Sequence, residues 1–600
     1  MMDSIIHRGP DDHGIFSDEA VTLGHRRLSI IDLSVRGKQP LSNENGDLWI
    51  IFNGEIYNYR ELKGSLKNHT FSSDSDTEVI IHAYEEYGMA FLEKLRGMFA
   101  FALYDSSKRT VILARDPIGK KPLYYCREGS RFAFASEIKA LLEIFPAFGI
   151  PRKINDHALC SYLQNQYVAG QKTLVDGIFR LRPGTALVYD LGTGKIQNVP
   201  YWVVRERIEN GDESYFAGRL KALLEESTRL RLIADVPVGS FLSGGVDSSA
   251  ITAIATRHVD YDFHTFSAGF GELFSECRFA REVADHLGTI HHEILIEPAD
   301  VIREFDKVTW HFDEPLGDAA VIANYFLSKK AHEYVKVVLA GEGSDELFGG
   351  YSSYRSAIRW HRWFDLPPII RRAVEKTIAH FPGNGNPVTD EKLVYAKYLG
   401  QDSLELAQQY AWKITGISNE EMKWLGISRC QQHKDDLYYP EPMKNPLNRV
   451  LAHDCLNHLP DLYLMKADKA TMAHSVEERV PILDVHMIEF AFSIPPSLKI
   501  RNGVEKYIWK KAVADIVPRS VIQRKKQGFG VPYRLWISKE LRDVAVQTLE
   551  EGSLCKRMVD PLQLKTLLSN LSRDKPGRSA LIAWNLFALE RWAKVFSIGV

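Results

Sequence analysis

No stretch of this chain approaches the run of about eighteen apolar residues that a membrane-crossing helix needs. Its start carries no basic patch followed by an apolar segment, so no secretory signal is read there. Cysteine is scarce. The six residues at 126, 160, 277, 430, 455 and 555 are scattered with no CxxC pair. That spacing excludes a zinc ribbon or a disulfide framework and reads as free thiols in a reducing compartment. Net charge is nearly absent as well, at -2, so bulk electrostatics gives no footprint for nucleic acid. There is no repeat and no low-complexity segment. The expectation is a cytoplasmic enzyme without a membrane or nucleic-acid partner.

What is present is ordinary globular composition, 45% hydrophobic and 25% charged. At 600 residues the chain is too long for one core, and two or three domains are expected. The first third is rich in strands. "LWIIFNGEIYNYRELKGSL" reads as a strand, a turn at Asn53-Gly54-Glu55 and a helix. "FAFALYD" and "TVILARD" around "SSKR" read as a hairpin, as do "KPLYYC" and "RFAFAS" around "REGS". Hairpins with interspersed helices predict an α+β layered domain. Residues 190–212 are rich in Gly, Asn, Asp and Pro and read as a linker, giving domains 1–205 and 206–600. Beyond the linker, strands such as "VPVGSFL", "FHTFSAGF", "HHEILI" and "VKVVLA" alternate with helical stretches. That rhythm predicts an α/β unit, a doubly wound parallel sheet, followed by a largely helical part from about 350 onward.

The sharpest signal is "VGSFLSGGVDSSAI", residues 238–251. A strand ends at Leu242, and Ser243-Gly244-Gly245-Val246-Asp247-Ser248-Ser249 turns into a helix. Two glycines let the backbone close around an anion. The helix N-terminus adds free N–H groups and its positive dipole end. Asp247 repels phosphate unless a hard cation such as Mg²⁺ lies between them. No GxxxxGK[ST] occurs, which excludes a kinase- or GTPase-type loop. The plainer reading, a strand–turn–helix capped by Ser249, leaves most of the block unexplained. "VVLAGEGSDELFGGY", residues 337–351, repeats the grammar with Gly341, Glu342 and Asp345 after a strand ending at Ala340. Ligands in open parallel sheets bind beyond the carboxyl ends of the strands, so both loops are expected at one crevice, with Asp247 and Asp345 sharing a cation. "KADKATMAHSVEERVPILD", residues 466–484, mixes Asp468, Lys469, His474, Glu477 and Arg479 into a helical pattern. "QRKKQGFGVP" sets Lys525 and Lys526 before a Gly-Phe-Gly, suited to neutralising a departing pyrophosphate. Each of these two blocks alone reads equally well as a solvated face or a buried ion pair.

SGGVDSS resembles the pyrophosphate loop of the ATP pyrophosphatases. With "GEGSDELFGGY", "MAHSVEERVPILD" and "KQGFGVP" in order, residues 215–540 resemble the synthetase domain of the glutamine-hydrolysing asparagine synthetases. The resemblance implies that ATP meets Leu242, Ser243, Gly244, Gly245, Asp247, Ser248, Ala268, Ala340 and Gly341. It implies that Asp247 and Asp345 hold Mg²⁺, that Glu342 serves adenylate formation and ammonia attack, and that Lys526 stabilises the leaving pyrophosphate. Lys469 stands where that family often has arginine, which keeps charge but loses the bidentate fork.

"HRGPDDHG", "GHRRLSIIDLS", "FNGEIYN", "SDTEVI" and "ARDPIGKKPLYY" resemble the family's glutamine amidotransferase domain, an N-terminal nucleophile hydrolase-like sandwich of two sheets. There Arg27 is implied to bind the glutamine carboxylate and Asp76 its amine. Asn53 and Gly54 are implied as an oxyanion hole, with Glu55 beside them. The family's nucleophile is a cysteine at residue one, its own amine acting as base. This chain begins Met-Met-Asp-Ser. Either the recorded start is an internal methionine or the gene is truncated and the protein uses free ammonia. The intact glutamine-site residues favour the first. As written, the chain is expected not to hydrolyse glutamine.

The expected activity is conversion of aspartate to asparagine through β-aspartyl-AMP, with ATP, Mg²⁺ and glutamine or ammonia. In the intact family, ammonia reaches the synthetase site through an internal tunnel. The same chemistry on a sugar acid or a peptide is one alternative, and a non-catalytic nucleotide-binding scaffold is another. A homodimer is left open as the assembly.

Overall fold

The computed structural model describes residues 1–271, 277–380, 403, 416–427, 438, 443–524, 530–572 and 577–598. The front half contains β1 (Asp12–Ser17), β2 (Thr22–Arg27), β3 (Leu41–Ser42), β4 (Leu48–Ile56), β5 (Gly97–Asp105), β6 (Thr110–Arg115), β7 (Tyr124–Glu128), β8 (Arg131–Ala135), β9 (Ile178–Arg180), β10 (Thr185–Asp190) and β11 (Ile196–Pro200). The six-stranded sheet runs β11-β10-β6-β5-β4-β3, and its pairs are antiparallel. Alternation decides its two faces. Phe99, Phe101 and Leu103 point to a core shared with the helix Asp76–Tyr87. Ala100, Ala102 and Tyr104 point to a second core, where β2 and the β8-β7-β9 sheet cover them. The layers are therefore helix, sheet and a second, divided sheet, as the hairpin pattern predicts.

Two details differ from the sequence reading. The turn expected at Asn53-Gly54-Glu55 is instead the end of β4, where Asn53 to Ile56 pair with Ala100 to Gly97 of β5. Gly54 makes this pairing feasible. Its φ is +146°, and a Cβ there would lie 2.0 Å from the Met98 carbonyl oxygen. Within the expected linker, Ile196–Pro200 forms the edge strand β11 on β10.

The second half holds β12 (Val238–Phe241), β13 (His264–Gly269), β14 (Ile290–Leu295), β15 (Val337–Leu339) and β16 (Glu477–Arg479). They form a parallel sheet in the order β14-β13-β12-β15-β16. Val337 and Leu339 join a core with the helices Glu213–Arg231 and Val246–Ala255. Val338 joins the opposite core, with helices Pro298–Phe312, Ala320–Ala331 and Arg578–Phe596. Helices thus cover both faces, the doubly wound arrangement. Strand β16 was expected to be helical. The helix Met465–Met472 ends before it, and Glu477–Arg479 then pairs with Val337–Leu339. Cys160 enters a disulfide, against the expectation of six free thiols, whereas Cys126, Cys277, Cys455 and Cys555 are buried and outside any disulfide.

The two halves meet through buried charge. Arg8 pairs with Asp468 at 2.8 Å and with Glu137 at 3.0 Å. Lys121 reaches Asp468 at 3.3 Å, and Arg96 reaches Asp484 at 3.0 Å. Arg479, fully buried, joins Glu477 and Glu55, each at 2.8 Å. Charges desolvated this way cost several kcal/mol each unless paired, so the pairs fix how the halves dock rather than adding large net stability.

Candidate active site

The parallel sheet reverses its winding between β12 and β15, the switch point where a crevice opens at the strand ends. Both predicted loops leave from it. Leu242 continues β12 by donating its N–H to the Phe266 carbonyl at 2.9 Å, and Ala340 continues β15 by donating to the Arg479 carbonyl at 3.0 Å. Ala268 lies near the end of the neighbouring β13. After Leu242 the chain turns at Gly244, whose φ is +68° and whose missing Cβ leaves room for the Phe279 backbone at 2.5 Å. The Gly245 N–H donates to Ser243 Oγ at 3.3 Å, and the Ser243 and Ser248 hydroxyls lie 3.1 Å apart. The helix Val246–Ala255 opens at this point, its N-terminus facing the loop.

The two loops touch. A Cβ on Gly341 would lie 3.0 Å from the Ser248 nitrogen and 3.2 Å from Asp247 Cβ. Asp247 and Asp345 are joined by Lys506, whose ammonium lies 2.7 Å from Asp247 Oδ2 and 2.6 Å from Asp345 Oδ1. The same group donates to Ser344 Oγ at 2.6 Å. Burial works against this ammonium, but the two aspartates outweigh it and hold its pKa above the ordinary lysine range. Lys506 was not predicted. It reaches the loops from 162 positions beyond Ser344, and only tertiary folding reveals it. Its backbone φ of +52° is unusual for a residue with a side chain.

Glu342 follows Gly341 and has a buried Oε2 without a hydrogen-bond partner. Burial raises its pKa, and its carboxyl lies beside that of Glu478 on β16. Burial and Glu342 together raise the Glu478 pKa well above the carboxylate range. Lys525 and Lys526 lie outside the described residues.

The other predicted set surrounds a cavity of about 440 Å³ in the front half, lined by Arg27, Asn53, Gly54, Glu55 and Asp76 and reaching Met472 and Glu477 of the second half. Arg27 donates to the carbonyls of Ser34 and Ile31 at 2.9 and 3.3 Å and to that of Asp32, pinning the loop beside the cavity. The Asn53 side-chain nitrogen is buried without a hydrogen-bond partner, a donor available to an oxyanion. Asp76 opens the helix Asp76–Tyr87 and accepts the Ile56 N–H at 2.8 Å. Burial pushes its pKa up to about 6. Glu55 is likewise pushed well above the carboxylate range by burial, although Arg479 opposes this. No described cysteine lines this cavity. Cys126 lies fully buried in β7, and burial raises its thiol to about 12.

The block read as helical at 466–484 belongs to the seam between the halves. Lys469 pairs with Asp313 and lies 5.2 Å over the Tyr124 ring. His474 packs edge-on against Tyr325 at 4.4 Å.

The fold and this pair of sites define an N-terminal nucleophile hydrolase-like sandwich joined to a unit of ATP pyrophosphatase type. A family model described as asparagine synthase matches residues 219–594, and one described as a glutamine amidotransferase domain matches residues 1–202. The chain is 35% identical to asparagine synthetase [glutamine-hydrolyzing] 1 of Bacillus subtilis, over 99% of this chain and 93% of that protein. It is 29% identical to asparagine synthetase [glutamine-hydrolyzing] 3 of the same organism, over 97% and 91%. An amidase of Gibberella zeae is 30% identical over 89% of this chain and 85% of its own length. The chain belongs to the asparagine synthase family.

Proposed function

We propose that the strand-end crevice is an ATP-dependent amide-ligase site that converts aspartate to asparagine. The observation that carries this reading is the ion-paired triad Asp247–Lys506–Asp345, held where two glycine loops meet at the sheet's switch point. A carboxylate is a poor electrophile, and activation as a mixed anhydride with AMP makes it a good one. One oxygen of the aspartate side chain attacks the α-phosphorus of ATP. The bond to pyrophosphate breaks, and β-aspartyl-AMP forms. Gly244, Gly245 and the N-terminus of helix Val246–Ala255 supply N–H groups for the phosphates. Lys506 supplies fixed positive charge beside them. Ammonia then attacks the acyl carbon, AMP leaves, and the surplus proton passes to Glu342. A glutamate with a raised pKa suits that task, and Glu478 offers a second carboxyl to share the proton.

Asp247 keeps a buried Oδ1 with no hydrogen-bond partner, which fits a hard divalent cation. Asp247 and Asp345 would hold Mg²⁺ there, and the ion would screen the triphosphate charge. Lys526 is assigned by resemblance to the departing pyrophosphate.

The nitrogen donor is glutamine or ammonia. The front cavity offers an oxyanion donor and carboxylates that suit a glutamine amide. Pyrophosphate release is measured with ATP, Mg²⁺ and aspartate, then with sugar acids and peptides as competing carboxylates. Aspartate alone is expected to support release. Preference for another carboxylate would transfer the same chemistry to that substrate, and release with none would leave a nucleotide-binding scaffold.

A further inference from the structure

One cluster of ligating side chains belongs to neither site. Glu44 comes from the turn between β3 and β4, His69 from the segment before the helix Asp76–Tyr87, and His82 and Glu85 from that helix itself. One ligand atom of each lies within 4.8 Å of the other three. They converge on Glu85 Oε2, which is 2.8 Å from His82 Nδ1 and 3.3 Å from His69 Nδ1. Glu44 Oε2 stands 3.9 Å from the same His82 nitrogen.

The surroundings orient these donors. Glu85 Oε1 accepts from the Asn43 amide at 2.8 Å, and Glu44 Oε1 accepts the Thr70 N–H at 2.8 Å. Each carboxylate is thus held by one oxygen and turns the other to the centre. His82 is wholly buried, and its Nε2 has no hydrogen-bond partner. That nitrogen faces Glu78 Oε1 at 3.8 Å. Glu78 in turn accepts from Ser72 and Ser73, so a carboxylate stands behind the imidazole as in many metal sites. Glu44 and Glu85 are exposed, which leaves an entry path.

We propose that Glu44, His69, His82 and Glu85 bind a divalent transition-metal ion of the zinc class. Two imidazole nitrogens and two carboxylate oxygens match the four-coordinate preference of Zn²⁺. Mg²⁺ and Ca²⁺ favour all-oxygen shells, so the imidazoles select against them. The ion ties two separate segments to the helix whose first residue, Asp76, lines the front cavity. Its role is to brace that helix, since binding to a site formed only on folding adds to folding stability.

The test uses the full chain stripped with a chelator and titrated with Zn²⁺ against a chromogenic competitor. One equivalent is expected to bind and to raise the melting temperature. His69→Ala and Glu44→Gln, both on partly or fully exposed side chains, are expected to weaken that equivalent by more than about tenfold. The melting shift is expected to vanish in His69→Ala. Asp247→Asn is expected to retain the equivalent, because it alters a different centre. Absence of zinc binding would overturn the proposal, as would undiminished binding in both variants or loss of the ion in Asp247→Asn instead. In those cases the four residues are an ion-paired cluster only.

Discussion

The strand-end crevice and the front cavity are both lined by buried charge, but they hold it differently. In the crevice a lysine stands between the acids: Lys506 joins Asp247 to Asp345 across the two loops. In the front cavity Asp76 and Glu55 have pKa values raised by burial, and the one amide donor at Asn53 has no partner. Both sites keep buried atoms for a ligand to satisfy, Asp247 Oδ1 and Glu342 Oε2 in the crevice and the Asn53 amide in the front cavity. They differ in their cations: Lys506 bridges two loops at the strand ends, whereas Arg479 ties the front cavity's Glu55 to the seam.

The strongest way to break this contrast is to remove the cation of the crevice. Lys506→Ala leaves two half-buried carboxylates facing each other, and turnover is expected to fall by about a hundred- to a thousandfold. Pyrophosphate release under saturating ATP reads this directly, and near-normal release would remove Lys506 from the site. The seam between the regions comes next. Arg479→Met strands Glu55 and Glu477 without their shared partner, and unfolding free energy is expected to drop by about 3 kcal/mol. Urea denaturation measures it, and a neutral result would mean that the halves dock without this pair.

A comparable but conditional effect belongs to Asp76. Its carboxyl ionises near the ordinary 3.8 in the unfolded chain and near about 6 when folded. The folded state therefore binds the extra proton between those values. Its contribution to stability is fullest below 3.8 and is lost as pH rises through about 6, by about 3 kcal/mol in all. Asp76→Asn is expected to remove that slope when unfolding is compared at about pH 4 and about pH 7. An unchanged slope would place the titration elsewhere. The smallest effect is expected from Cys126→Ala. Its thiol is buried in β7 and is not among the cavity's lining groups, so turnover with ammonium is expected to stay unchanged in a standard rate assay.

Much of this was legible in the sequence because local rules and tertiary structure agree there. SGGVDSS follows a strand and opens a helix, and both predicted loops do meet at one crevice. The hairpins of β5–β6 and β7–β8 fall where their turn residues indicate. Where the reading failed, long-range pairing overrode a local signal. Asn53-Gly54-Glu55 carries turn composition, yet a neighbouring strand holds it extended. Glu477–Arg479 reads on a helical pattern, as a solvated face or a buried ion pair; Arg479 and its acids pair inside the seam, but on a strand rather than a helix. Lys506 gave no signal at all, since nothing near it in the chain resembles a site. Its value comes only from the two loops that fold onto it.

The most direct test is asparagine formation by the 600-residue chain with ATP, Mg²⁺ and aspartate, run in parallel with ammonium and with ammonia-free glutamine as the nitrogen donor. The account predicts asparagine, AMP and pyrophosphate with ammonium. Product from glutamine as well would show that the front cavity supplies ammonia, and absence of product from both donors would contradict the assignment of the crevice.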